Sequence, residues 1–116
     1  MKIIILLFAG LLFAGEAAPQ AQRVRFLRGR SSSIVKGTVH GEKSKIYLVA
    51  AKEGQKMSLS ITKGAGFRLS SPEGPLEGGK LVSKSQQDLV ASGDYEIEVS
   101  SLSSRTVVFS LEIVIQ

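Results

Sequence analysis

The sequence contains no cysteine and no tryptophan, and only one of its 116 residues is a histidine. Without cysteine there is no disulfide framework, no thiolate metal site, no cysteine nucleophile and no lipid-anchored N-terminal cysteine. The lone His40 excludes a multi-histidine zinc site. These absences argue against an enzyme, and we predict no metal and no cofactor.

Residues that could support catalysis are also too few or too scattered. A serine nucleophile needs a base within reach, and His40 lies in a predicted turn. Glu96 and Glu98 share one strand face, as exposed like charges commonly do. Asp88 and Asp94 are too few for a calcium-binding loop. We therefore predict that the chain is not an enzyme and has no catalytic residue.

The N-terminal segment has the pattern of a secretory signal peptide. Lys2 precedes an uncharged apolar run over residues 3–15, and small residues follow. The run is well short of the roughly 20 apolar residues that a membrane-spanning helix needs. We predict a signal peptide over residues 1–17, with cleavage after Ala17 or, alternatively, after Ala21. An uncleaved anchor is the other interpretation. The mature protein, residues 18–116, would be a single periplasmic or secreted domain with no transmembrane segment.

The remaining chain is ordinary in composition, with 43% hydrophobic and 22% charged residues, and its apolar residues alternate. Alternation with period two is typical of strands that bury one face. The alternating rows are Val24 and Phe26; Met57, Leu59 and Ile61; Tyr95, Ile97 and Val99; and Val107, Phe109, Leu111, Ile113 and Ile115. Residues 34–39 and 45–51 are two further runs of strand length.

Glycine-containing turns separate these runs about every ten residues, and the spacing is typical of a sandwich or barrel. We predict an all-β fold, a small antiparallel β-sandwich of seven or eight strands with no helix after the signal peptide. Residues 70–87 hold two prolines and three glycines. They are predicted to form a long exposed loop with at most a short strand at Leu81-Val82.

Several short motifs resemble those of the bacterial periplasmic inhibitors of g-type lysozyme, within the broader pre-peptidase C-terminal-like β-sandwich domains. They are Phe26-x-x-Gly29-x-Ser31-Ser32, then Gly37 and Gly41, then Tyr47-x-x-Ala50-x-x-Gly54-Gln55, and finally residues 89–99 with the sequence LVASGDYEIEV. The resemblance implies a protein that binds a lysozyme-like enzyme and inhibits it by inserting a loop into its cleft.

By this resemblance, the partner-binding residues would be Ser92, Gly93, Asp94 and Tyr95, which contain a Ser-Gly-x-Tyr motif. An alternative interpretation is structural. Gly93 would then only make a turn, and Tyr95 would only pack, with its hydroxyl bound to the backbone. Gly54-Gln55 is similarly either a hairpin turn or a contact site.

A cluster of arginines suggests a second function. The net charge is +5, and Arg23, Arg25, Arg28 and Arg30 lie close together. Arginine binds carboxylates and phosphates through a planar fork. The cluster would bind an anionic glycan or envelope polymer, or it is simply a solvated face. Nucleic acid is not an expected partner, because the chain is exported and its aromatic residues lie mostly in strand rows.

Overall fold

The computed structural model describes residues 20–116, which form two β-sheets packed face to face. The predicted signal peptide, residues 1–17, lies outside the described residues. The strands are β1 (Ala21–Arg23), β2 (Ser32–Val39), β3 (Ser44–Ala51), β4 (Lys56–Ile61), β5 (Ala65–Ser71), β6 (Gly74–Pro75), β7 (Lys84–Asp88), β8 (Gly93–Ser101) and β9 (Val107–Ile115). The predicted all-β sandwich is confirmed.

The two sheets differ in strand order and size. The four-stranded sheet has the order β2-β9-β4-β7, and the five-stranded sheet has the order β1-β3-β8-β5-β6. Neighbouring strands are antiparallel except for β1, which runs parallel to β3. Residues 20–116 contain no α-helix, and a single 3-10 turn spans Glu77–Gly79. There are thus nine strands in the described part of the chain, against the seven or eight predicted.

The core lies between the sheets and is built from the alternating rows. Phe109, Leu111 and Ile113 are buried, whereas Val108, on the opposite face of the strand, is 76% exposed. The rings of Tyr47 and Phe109 meet edge to face, with centroids 6.3 Å apart. Burial raises the pKa of Tyr47 above its ordinary value. The predicted inward face of β9 is therefore confirmed.

Gly37 allows β2 to approach these two aromatic rings. It is the register partner of Phe109 in the β2–β9 ladder. A Cβ atom at position 37 would lie 2.9 Å from Cζ of Phe109 and 3.1 Å from the hydroxyl oxygen of Tyr47. Real Cβ atoms essentially never approach another atom within 3.0 Å, so a side chain at position 37 would require the Phe109 ring to shift.

The predicted strand at Val24 and Phe26 is displaced in the structure. The β1 ladder ends at Arg23, and one further bond joins the Val24 amide to the Leu48 carbonyl. Beyond it the chain is irregular and makes a turn around Gly29, whose φ is 78°. Val24 and Phe26 still pack against the core. Their alternation reflects burial, and the backbone pairing with β3 does not extend beyond Val24.

Residues 70–87 contain more regular structure than the predicted exposed loop. Strand β5 continues to Ser71, and β7 begins at Lys84 and pairs with β4. Val82 forms one isolated bridge with Phe67. Strand β7 is an edge strand on which only Ser85 is buried, so its sequence lacks an apolar row. The prediction of a long exposed loop over residues 70–87 was wrong at both ends of the segment for that reason, whereas the bridge at Val82 lies where a short strand was predicted.

Candidate functional site

One end of the sandwich is closed by the loop between β7 and β8, which contains the predicted Ser-Gly-x-Tyr motif. This loop pairs with the β3–β4 turn, residues 52–55. The Gly54 amide donates to the Leu89 carbonyl (2.8 Å), and the Leu89 amide donates to the Gln55 carbonyl (2.8 Å). The Glu53 amide donates to Oγ of Ser92 (2.9 Å). The two turns noted in the sequence therefore form one connected surface.

Tyr95 holds the loop from inside the core. Its side chain is 1% exposed, and its hydroxyl donates a hydrogen bond to the Ala91 carbonyl at 2.7 Å. Because tyrosine hydroxyls need a partner when buried, this bond both satisfies the phenol and fixes the preceding loop residues. The ring faces the core and not the outer surface of the turn.

Gly93 gives the turn its shape. Its φ of 140° is one that other residues rarely adopt, and a Cβ atom there would lie 2.9 Å from Cγ of Pro72. Both the backbone conformation and the space therefore require glycine. Ser92, Gly93 and Asp94 are all exposed, so the tip of the turn is accessible to a partner.

Asp94 connects this turn to the arginine cluster. Arg23 donates two hydrogen bonds to the Asp94 carboxylate, from Nη1 at 3.0 Å and from Nη2 at 2.7 Å. The hydrogen bonds from the guanidinium lower the pKa of Asp94 and raise the pKa of Arg23. Both side chains stay partly exposed, at 37% and 46%. The bidentate pair fastens the N-terminal segment to the end of β8.

The other arginines of the cluster are exposed on the same segment. Arg25, Arg28 and Arg30 form no ion pair within residues 20–116. A depression of about 260 Å³ separates this segment from the β3–β4 turn, and its lining residues are Phe26, Arg30, Ser31, Ala50, Gln55 and Ile115. Both predicted sets of site residues therefore border one end of the sandwich.

The site offers hydroxyl groups, backbone groups and cations, but no constellation for catalysis. Across residues 20–116, no three histidine or acidic side chains are grouped closely enough to hold a metal ion. His40 is exposed in the connection between β2 and β3. No helix in that part of the chain is long and apolar enough to cross a bilayer.

Sequence reasoning did not find the contact between the β3–β4 turn and the Ser92 loop. The backbone of Glu53 binds Ser92 across 39 residues of sequence, and Gln55, named above as part of a turn or contact site, lines the neighbouring depression. The Gly54-Gln55 pair was a visible turn signal, but nothing local indicated that this turn meets the Ser92 loop.

Fold and site together define a small β-sandwich whose candidate site is suited to binding a partner. No family model matches the chain, and no curated protein matches it. Solved structures do. The chain is similar to the crystal structure of PliG from Aeromonas hydrophila, a periplasmic inhibitor of g-type lysozyme. The TM-score is 0.73 at 28% identity, and the match covers 85% of this chain and 98% of that chain.

Two further structures extend this comparison. PliG from Salmonella Typhimurium, also a periplasmic inhibitor of g-type lysozyme, matches with a TM-score of 0.70 at 26% identity, over 85% of this chain and 100% of that one. The pre-peptidase C-terminal domain of a Bacillus anthracis collagenase matches with a TM-score of 0.54 at 12% identity, over 86% and 98%. That more distant likeness concerns the fold alone.

The comparisons confirm the resemblance that the sequence motifs indicated. Inhibitors act by binding and not by catalysis. The comparison therefore supports the prediction that this chain is not an enzyme.

Proposed function

We propose that the protein binds and inhibits a g-type lysozyme in the periplasm. The similarity to two inhibitors of g-type lysozyme, over nearly their whole length and at 26–28% identity, carries this proposal. A shared fold by itself would not be sufficient, because one fold supports many functions. Here the similarity agrees with the composition of the site, which within residues 20–116 offers groups for binding and none arranged for catalysis.

The proposed contact is the tip of the β7–β8 loop, which would insert into the enzyme's cleft. Ser92, Gly93 and Asp94 would meet the enzyme, while Tyr95 would hold the loop in place through its bond to Ala91. The bonds from Glu53 and Gly54 fix the loop further. A loop that is already ordered loses less conformational entropy on binding, which favours affinity.

The cations near this loop suit the proposed target. The cleft of a glycosidase carries carboxylates around the scissile bond. Lys52 in the β3–β4 turn and Arg30 beside the depression are exposed at the same end as Ser92. They could approach such carboxylates once the loop has entered the cleft.

The test is lysis of peptidoglycan by a g-type lysozyme in the presence of purified variants. Ser92→Lys places a long side chain at the tip, and its steric clash within the cleft should outweigh the attraction of its charge to carboxylates. It should therefore weaken inhibition about 30-fold or more, as for an interface hot spot. Ser92→Ala removes only the hydroxyl that binds the Glu53 amide. It should reduce inhibition less than Ser92→Lys if steric fit in the cleft dominates.

Ser103→Lys is the matched control. Ser103 is exposed beyond the other end of β8. Nine strand residues separate the two ends by about 30 Å. This variant should inhibit like the wild type. Equal inhibition by Ser92→Lys and Ser103→Lys would contradict the placement of the contact at the loop tip.

A second candidate function is binding to an anionic glycan or envelope surface. It is favoured by the exposure of Arg25, Arg28 and Arg30 and by their lack of ion pairs within residues 20–116. Binding to isolated envelope material should then weaken steeply between low and physiological salt. Replacing these three arginines with glutamine should remove most of that dependence. Unchanged salt dependence would leave the arginines as a solvated face.

A further inference from the structure

Within residues 20–116, strand β2 has a long side without a strand partner. It lies at one margin of the four-stranded sheet, with β9 on its other side. The Ile115 amide donates to the Ser31 carbonyl at 2.8 Å. Antiparallel ladders repeat this bonding at every second residue. The backbone groups of Ser33, Val35 and Gly37 therefore face β9, and the free side presents those of Ser32, Ile34, Lys36 and Thr38.

The register between β9 and β4 independently supports this assignment of bonded and free residues on β2. The Thr62 amide donates to the Ser110 carbonyl at 3.1 Å. The even-numbered residues of β9 thus bond towards β4, and the odd-numbered ones bond towards β2. Four amides and four carbonyls remain along the free side of β2. Unpaired backbone groups in a row are a template for another strand.

The other sheet margins in the described part of the chain are shorter. Strands β1 and β6 contain three and two residues, and β7 contains five, against eight in β2. Strand β2 is therefore the most extensive template within residues 20–116.

A groove follows the free side of β2. Two adjoining depressions, each of about 300 Å³, share Arg25, Ser33 and Ile34 and lie between β2 and residues 22–30. Arg30 lines one and Lys36 lines the other. No acidic residue lines either of them. The groove therefore combines free backbone groups with a positive field.

Three cationic side chains of this groove are available to bind an anionic ligand. Arg25, Arg30 and Lys36 form no ion pair within residues 20–116, whereas Arg23 is neutralised by Asp94. Ile34 adds an apolar contact, since it is 61% exposed. A second copy of this chain would bring like charges together, and edge lysines generally oppose such pairing. An acidic strand would meet complementary charge.

We propose that an extended acidic peptide segment binds along β2 and adds a strand to the four-stranded sheet. Its backbone would bond the free groups of Ile34 and Lys36, which is the mode called β-augmentation. Acidic side chains would lie near Arg25, Arg30 and Lys36, and an apolar side chain would cover Ile34. This surface shares Arg30 with the end of the sandwich that carries the Ser92 loop, but its free backbone groups on β2 are separate from that loop. The proposal does not depend on lysozyme inhibition.

The test uses a synthetic heptapeptide of alternating glutamate and valine, blocked at both termini, with amide exchange followed by NMR. In the free protein, the amides of Ile34 and Lys36 should exchange quickly and those of Val35 and Gly37 slowly. The peptide should protect the first two. A peptide of the same sequence, N-methylated at alternate amides so that it cannot extend the ladder, should lose binding and protection together.

Charge variants complete the test. Lys36→Glu should weaken binding of the heptapeptide about tenfold, because it places like charges opposite each other. Lys84→Glu on β7 makes the same charge change on another strand of the sheet and should leave binding unchanged. Absence of heptapeptide binding would overturn the proposal. So would equal binding of the N-methylated peptide without amide protection, because charge alone would then explain the contact.

An anionic polysaccharide is the competing occupant, and a heparin oligosaccharide serves as its probe. Protection of the Ile34 and Lys36 amides by the heptapeptide, but not by heparin, supports strand addition. Binding of heparin at Arg25 and Arg30 without any binding of the heptapeptide would overturn the proposal in favour of a glycan site.

Discussion

Tyr95→Phe separates a role in holding the loop from a role in direct contact with a partner. The substitution keeps the buried ring and removes only the hydroxyl, which donates to the Ala91 carbonyl at 2.7 Å. Ala91 is 9% exposed, so water replaces the lost donor poorly. Leaving a buried acceptor without its partner costs about 1–3 kcal/mol in the free energy of unfolding.

This cost is measurable by heat or urea. For a domain of this size, 1 kcal/mol corresponds to about 4–8 °C in Tm, so Tyr95→Phe should lower Tm by at least about 4 °C. Far-UV circular dichroism suits the assay, since the chain has no tryptophan. Amide exchange of Gly54 and Leu89, whose bonds join the two turns, should also become faster.

Tyr47→Phe is the matched control. Tyr47 is also buried, but it lines the groove beside β2. Among residues 20–116 the Tyr47 hydroxyl has no protein hydrogen-bond partner, and it borders the groove. Its removal therefore breaks no protein hydrogen bond, so the loss of stability should be smaller. An unchanged Tm for Tyr95→Phe, together with complete loss of lysozyme inhibition, would refute this reasoning. Tyr95 would then be a direct contact residue.

Three further predictions concern the core and the charged pair. Phe109→Ala should lower the free energy of unfolding by about 3–5 kcal/mol in urea titration, because it empties a fully buried site. A near-neutral result would mean that Phe109 does not face the core. Gly37→Ala should cost about 1–3 kcal/mol by overpacking against Phe109, and an unchanged urea midpoint would show that the rings can move. Arg23 lowers the pKa of Asp94. The Arg23–Asp94 pair therefore stabilises the folded protein near neutral pH, and this stabilisation is lost as pH falls below about 4 and Asp94 becomes protonated. The Tm difference between wild type and Asp94→Asn should shrink over that range, and a difference independent of pH would contradict the pairing.

The alternating rows were sufficient to predict the fold, because burial on one face leaves a period of two in the sequence. Strands β4, β8 and β9 each carry such a row. Strand β7 does not, since it is an edge strand of mostly polar residues. Strand β1 pairs for three residues only, too few to show a period. Edge strands are where sequence patterning carries least information.

The sequence predicted which residues belong to the candidate site better than it predicted what each residue does there. The row containing Tyr95, Ile97 and Val99 already indicated an inward-facing Tyr95, and the structure buries it. The resemblance had grouped the same residue with the exposed turn. The bidentate contact between Arg23 and Asp94 spans 71 residues of sequence. No local pattern encodes a contact at that separation, so the meeting of the two clusters came from the structure.

The most direct measurement of the central claim is a titration of purified wild-type protein into a peptidoglycan lysis assay with a g-type lysozyme. A c-type lysozyme assayed in parallel serves as the comparison. The proposed function predicts saturable inhibition of the g-type enzyme at concentrations where the c-type enzyme remains active. Full activity of the g-type enzyme at micromolar excess of the protein would contradict it.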